Sequence, residues 1–216
     1  MKYAVMSDVH GHLPALENAL ADARRCAVDR FVLLGDMIGL GPSPDRDVLS
    51  LCRSAFDVVV AGNYEVDYLS RESAASQPER AWVASLPSLA VEGDAAFTHR
   101  GLNRDAGRMV AGFGYGYTFD LATARVTFDA MDSALRLVFI GHTHESAIWR
   151  CDAADTITQV HANRWLADAG SRYIVNVGSV GCPRSDDGAS YVVYDSDSRQ
   201  LEFRRLEPDG RKYRAE

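Results

Sequence analysis

Short apolar runs alternate with helical spacings through the first third of the chain. Lys2 to Met6, Arg30 to Leu34 and Asp57 to Ala61 are rich in Val, Leu or Phe. Each ends in a loop signal: Ser7-Asp8, Gly35-Asp36 and Gly62-Asn63. Between them, Leu13 to Ala27 spaces Leu13, Leu16 and Leu20 at helical intervals, and Pro44 to Ser54 opens with a proline suited to a first helical turn. This βαβαβ order predicts a parallel sheet whose loops collect on one edge. The pattern then changes. Ala95 to His99, Leu135 to Gly141, Ala147 to Cys151, Thr156 to His161, Tyr173 to Val177, Ser190 to Tyr194 and Gln200 to Arg205 all read as strands, with few helices between them. The expectation is an α/β (α+β) fold, a four-layer αββα sandwich of two mixed β-sheets flanked by helices. It is expected to form one domain over residues 1–216, with the Gly-rich stretch from Gly101 to Gly116 as a flexible insert.

Composition removes several alternatives. The chain has 216 residues, 47% of them hydrophobic and 25% charged, which suits a soluble globular protein with a substantial core. A formal net charge of −7 offers no general attraction to nucleic acid or to an anionic membrane, so a phosphate-bearing ligand needs a local site. No signal-peptide pattern and no run of about 18 apolar residues occurs, which makes a cytoplasmic location the expectation. Cys26, Cys52, Cys151 and Cys182 are scattered without a Cys-x-x-Cys pair and read as free thiols.

The strand ends carry the chemistry. They present Asp8-Val9-His10, Gly35-Asp36, Gly62-Asn63, His99 and Gly141-His142-Thr143-His144. On extended backbone, alternate residues point the same way, so Asp-x-His and His-x-His pairs could each grip one ion. Imidazoles suit Zn, Mn, Fe or Ni, and carboxylates add hard oxygen ligands. A glycine before Asp36, Asn63 and His142 allows a sharp turn that aims the next residue inward.

These five blocks, in this order, resemble those of the calcineurin-like metallophosphoesterase family: Asp-x-His, Gly-Asp, Gly-Asn-His-(Asp/Glu), His and Gly-His-x-His. The stretches SDVHGHLPALE, GDMIGLGPSP and YIVNVGSVGCPR extend the resemblance to its small bacterial phosphodiesterase branch, over about the whole chain. The resemblance implies Asp8, His10 and His144 as ligands of one metal, Asn63, His99 and His142 as ligands of a second, and Asp36 as a bridge. It implies two divalent ions, Mn²⁺ first, with Ni²⁺, Zn²⁺, Fe²⁺, Co²⁺ or Mg²⁺ also suited. Two such ions bring about four positive charges against two anionic protein ligands, Asp8 and Asp36, so even with a bridging hydroxide the centre stays positive. It can then hold a phosphate oxygen and acidify a shared water into an in-line nucleophile.

One departure from the family pattern concerns the leaving group. The third block reads Gly62-Asn63-Tyr64-Glu65, with tyrosine where the family has the histidine thought to protonate the leaving oxygen. A phenol titrates near pH 10 and is a poorer acid at neutral pH than imidazole, which points to a shift of substrate; the other reading is that Tyr64 only packs against the sheet edge. His12 is a candidate substitute acid, the other reading being a solvent-exposed loop histidine. Arg184, and also Arg100, Arg104 and Arg108, could bind phosphate or simply be solvated. Residues 113–117 (FGYGY) either stack an aryl group or nucleobase or pack their loop down. Asn176 and Ser179 read as supports for the His142 and His144 loop, and His161 as a surface or core histidine.

The sequence therefore reads as a metal-dependent phosphoesterase acting on phosphodiester or phosphomonoester bonds of a small phosphate-ester or nucleotide substrate, with Tyr64 and Asn63 as candidate catalytic residues and Arg184 as a candidate substrate contact. The alternatives are a non-catalytic protein-binding scaffold of the same fold, as in a retromer subunit, and a dinucleoside polyphosphate hydrolase. Oligomeric state is not readable.

Overall fold

The computed structural model describes residues 1–70, 77–112, 116–184 and 188–206. The chain runs β1 (Lys2–Met6), α1 (Leu13–Arg25), β2 (Arg30–Leu33), α2 (Asp45–Ala55), β3 (Val58–Val59), α3 (Asn63–Ser70), α4 (Gln77–Ser85), β4 (Leu89–Glu92), β5 (Ala95–Thr98), β6 (Leu102–Asp105), β7 (Arg108–Ala111) and α5 (Leu121–Ala130). It continues with β8 (Leu137–Ile140), β9 (Ser146–Cys151), β10 (Ile157–Val160), β11 (Arg164–Leu166), β12 (Arg172–Val177), β13 (Ser190–Asp195) and β14 (Gln200–Arg205).

Two six-stranded mixed sheets result, ordered β11-β14-β13-β1-β2-β3 and β10-β9-β12-β8-β5-β4. In the first, β1, β2 and β3 are parallel; in the second, β5, β8 and β12 are. Alternation along the strands sets the layers. Tyr3, Val5, Val32, Phe97, Phe139 and Val175 fill the cluster between the sheets. Ala4, Met6 and Leu33 turn the other way, toward Leu16 and Leu20 of α1, Leu49 of α2 and Val83 of α4. Val138, Ile140 and Ile174 turn toward Phe128 of α5. Both faces of the central strands are thus covered, which explains why they read as unbroken apolar runs. The expected αββα layering stands, and no helix among the described residues is long and apolar enough to cross a membrane. All four cysteines are free thiols.

Several expected boundaries move. Helix α1 stops at Arg25, not Ala27, because Ala27 takes a φ of 52°. The third strand shrinks to two residues because Ala61 donates to the Pro87 carbonyl at 2.8 Å instead of extending the ladder. The supposed flexible insert holds the β6-β7 hairpin, turned by Ala106 and Gly107 with φ of 46° and 81°, the geometry of a two-residue primed turn. Helices α3, α4 and α5 and strands β4 and β11 were not expected. Asp120 caps α5, accepting the Thr123 N–H at 2.9 Å.

Helix α1 is pinned to the first sheet by a polar knot. Buried Asp22 accepts the Tyr191 hydroxyl at 2.8 Å, Arg204 through Nε at 3.0 Å and Nη2 at 3.1 Å, and Arg25 at 2.9 Å. The Arg204 guanidinium, aided by Tyr191 and Arg25 and opposed by burial, lowers the Asp22 pKa from its usual value. A depressed folded-state pKa means that the knot stabilises fully above the unfolded value near 3.8 and fades as pH falls through the lower folded value. Replacing Asp22 with Asn should cost about 1–2 kcal/mol at pH 7 by urea unfolding. That gap should narrow in matched measurements near pH 2.5; an equal gap at both pH values would show that the charge is not what matters.

Candidate metal centre

Because the parallel strands of both sheets end at one edge, the loops that follow them meet there. Asp8 follows β1, Asp36 follows β2, Asn63 opens α3 after β3, His99 follows β5, and His142 and His144 follow β8. Two groups form. Asp8, His10 and His144 make one, and Asp36, His99 and His142 the other, with the candidate ligand atoms of each group within 4.8 Å of one another. All six are buried. Asn63 joins the second group, its Oδ1 lying 3.1 Å from His99 Nε2. Asp36 faces both groups: its Oδ2 is 3.2 Å from His99 Nε2 and 3.7 Å from His10 Nε2.

The backbone that aims these groups is not the extended one expected. Asp8, His10, Asp36, His142 and His144 all have φ between 47° and 68°. Left-handed conformations cost about 1–2 kcal/mol for an L-residue and persist where surrounding structure over-determines them. One consequence is that His142 and His144 go to different groups, so His-x-His does not grip a single position. Two of the preceding glycines also serve differently than expected. Gly62 and Gly141 leave room: a Cβ on Gly62 would strike Asp36, and one on Gly141 would strike Ser7 and Asp8.

Imidazole orientation is set from behind. His99 Nδ1 is 2.8 Å from the Leu34 carbonyl, and His144 Nδ1 is 2.6 Å from the Cys182 carbonyl. A carbonyl only accepts, so each Nδ1 carries a proton, and that bond turns the other ring nitrogen, Nε2, toward the cluster, the arrangement common to metal-binding histidines. His144 Nε2 lies 3.0 Å from His10 Nε2. Asp8 Oδ1 and His10 Nδ1 are buried without a hydrogen-bond partner. Converging nitrogen and oxygen donors with unused capacity, buried and only partly neutralised, fit divalent cations.

Charge within the cluster is unevenly held. Burial opposes ionisation of Asp8, yet His10 and His144 outweigh it and hold the carboxyl well below the usual range. Asp36 is lowered too, His99 overcoming burial. Burial also opposes charge on His99, but Asp36 and Asp8 raise it to about 9. His142 falls to about 4, through burial first and then the positive charges of His99 and Arg100. The acids thus favour a cation in their midst.

Asn176 supports the His142 and His144 loop, whereas Ser179 holds the Asp8 loop. Asn176 Nδ2 donates to the Gly141 carbonyl at 3.0 Å and to Thr143 Oγ1 at 2.8 Å, and the Ser179 hydroxyl donates to the Asp8 carbonyl at 2.8 Å. Glu65 is a support that the sequence reading passed over. Fully buried, it accepts the N–H groups of Asp36 at 2.8 Å, Met37 at 2.9 Å and Gly62 at 2.8 Å, tying two ligand loops together. Its one signal was an acid immediately after Gly-Asn-Tyr.

The other candidates separate. Tyr64 sets its ring edge-on to His10 at 4.6 Å between centroids and packs against Gly39, where a Cβ would collide with the ring. It therefore both packs and borders the cluster. Tyr117 stacks on His142 at 5.3 Å, and the Arg184 guanidinium lies 4.2 Å over the Tyr117 ring. Phe113 and Tyr115 of the same aromatic stretch lie outside the described residues. His12 is buried but belongs to neither ligand group, and His161 is exposed. Arg104 pairs with Asp132 at 2.8 Å, Arg108 is exposed, and Arg100 stands beside the second group.

Comparison with known proteins agrees with this arrangement. Residues 1–199 match the calcineurin-like phosphoesterase superfamily domain. A metallophosphoesterase from Sphaerobacter thermophilus is 30% identical and superposes with a TM-score of 0.79, covering 96% of this chain and 89% of that one. An archaeal phosphodiesterase shares the fold at 16% identity and a TM-score of 0.54, over 95% of this chain and all of the other. An uncharacterized protein of Methanocaldococcus jannaschii is 24% identical over 97% of this chain and 88% of its own length. With the matched domain spanning most of its length and enclosing the five ordered motifs, the chain belongs to the calcineurin-like phosphoesterase superfamily.

Proposed function

We propose that the protein is a metal-dependent phosphoesterase that hydrolyses phosphodiester bonds at a dinuclear centre. The observation that carries this reading is the pair of buried ligand groups with Asp36 facing both. Asp8, His10 and His144 would hold one divalent ion, Asn63, His99 and His142 the second, and Asp36 would be shared. When bound, the ions supply Lewis acidity, attracting the phosphate and acidifying the water that attacks phosphorus. The donor set suits Mn²⁺ and also Ni²⁺, Zn²⁺, Fe²⁺, Co²⁺ or Mg²⁺. The archaeal phosphodiesterase of the same fold is consistent with a diester substrate.

The chain's own residues complete the chemistry. Burial, with Tyr117 and Asp36 nearby, raises the Tyr64 pKa, so the phenol keeps its proton and is available to donate it to a leaving oxygen. Arg184, exposed over Tyr117, is placed to meet a phosphate oxygen once it leaves that ring. Glu65 positions rather than reacts. By clasping the backbones of Asp36, Met37 and Gly62, it fixes the distance between the Asp36 and Asn63 loops.

Three outcomes are expected. Protein treated with a chelator and reloaded with Mn²⁺ should hydrolyse bis(p-nitrophenyl) phosphate, and Asp36→Asn should lower turnover by about a hundredfold or more; if no divalent metal gives turnover above that of the variant, a binding scaffold is favoured. Tyr64→His should speed alkyl esters about tenfold more than nitrophenyl esters, because only the former need a strong acid, and equal effects on both would remove Tyr64 from the proton transfer. Glu65→Gln, which exchanges an accepting oxygen for an amide donor, should reduce both bound metal, measured by elemental analysis, and turnover by about 10–100-fold. Full metal content in that variant would confine Glu65 to folding.

A further inference from the structure

A cleft of about 340 Å³ opens on one flank of the centre, lined by Gly62, Asn63, Val66, His99, Arg100 and Ala111 among others. Asn63 and His99 belong at once to this cleft and to the second ligand group. A phosphate seated at that group would therefore direct a substituent into the cleft. Among the described residues, aromatic side chains stand on other sides of the centre. Tyr64 lies edge-on to His10, and Tyr117 covers His142 with its own outer face under Arg184.

We propose that this cleft receives one flat, largely apolar organic substituent of the substrate, an aryl or nucleoside group carried on the phosphate. The inference rests on the phosphodiesterase reading of the centre and deepens it by naming what the ester carries. Small residues shape the cavity: Ala61, Gly62, Ala111 and Gly112 leave room for a planar group, and Val66 adds an aliphatic wall. Its volume lies near the lower limit of about 300 Å³ for small-molecule sites, enough for one substituent rather than two. Arg100 in the wall adds one guanidinium charge beside the centre, its buried Nε without a hydrogen-bond partner. Exposed Asp67 at the rim opposes that charge, so the cleft offers no surplus of positive charge to hold a second phosphate. That favours an organic group over an extended polyphosphate.

Phosphonates test the cleft without turnover, because their carbon–phosphorus bond is not the one hydrolysed. Calorimetry on Mn²⁺-loaded protein would compare methylphosphonate with phenylphosphonate and with the phosphonate analogue of adenosine 5′-monophosphate. At least one of the two larger ligands should bind ten or more times tighter than methylphosphonate, and which one does so tells aryl from nucleoside. Val66→Trp, at a position 62% exposed to solvent, should fill the cleft and reduce that preference to within twofold. Similar affinities for all three ligands, no binding of any, or a preference that survives in folded Val66→Trp would overturn the proposal. The comparison in the unaltered chain stands by itself if the variant does not fold. The two readings fail separately: no hydrolysis by the unaltered Mn²⁺-loaded chain above that of Asp36→Asn, with the phosphonate preference intact, would sink the phosphodiesterase reading, and hydrolysis without the preference would sink only the cleft.

Discussion

The carboxylate of Asp8 is the point on which the site turns. It is fully buried at the end of β1, and its Oδ2 accepts the His142 N–H at 2.9 Å from the loop of the other sheet. Its carbonyl meanwhile accepts the Ser179 hydroxyl and the Gly181 N–H at 3.0 Å. A charge taken out of water is tolerable only when hydrogen bonds and opposite charges surround it. The carboxylate draws on the His142 backbone and on the imidazoles of His10 and His144, and the carbonyl of the same residue on segments late in the chain, so one buried residue gathers several of the loops that carry the other candidate ligands.

The same edge concentrates strained backbone. Five candidate ligands sit in left-handed conformations that the chain would not adopt alone. Their retention depends on the rigid layers beneath. Phe97 and Phe139 stack at 5.4 Å between the sheets, and the strands they belong to end directly at His99 and the His142 loop. Packing energy spread over a large apolar interior offsets local conformational cost at a few positions, a common division of labour between core and functional edge.

Much of this was legible in the sequence because two different restrictions coincided. Strands buried on both faces must be apolar along their length, so β1, β2, β5, β8 and β12 were visible as runs. Divalent-ion chemistry accepts few side chains, so Asp8, His10, Asp36, Asn63, His99, His142 and His144 stood out at the ends of those runs. Features set only by three-dimensional context stayed hidden. The β6-β7 hairpin turns on Ala-Gly and carries exposed Asn103, Arg104 and Asp105, with no alternation strong enough to reveal it. Helix α5 contains Thr and Val at interior positions, which weakens its helical signature. The division of His142 and His144 between two groups was implied by the family resemblance, but the left-handed torsions that produce it are announced by no local pattern. Glu65 looks like any helix-starting acid until its backbone partners are seen beside it, two of them, Asp36 and Met37, distant in sequence.

The bond from His99 Nδ1 to the Leu34 carbonyl crosses from one sheet to the other. An imidazole that belongs to one layer is thus anchored on the backbone of its neighbour, and the ligand cage spans the seam between them. A relative slip of the layers by a fraction of an ångström would pull the cage apart while leaving every strand and helix intact. The centre is in that sense a gauge of how well the two halves of the sandwich are seated, and it would register loosening of the interior before the secondary structure did.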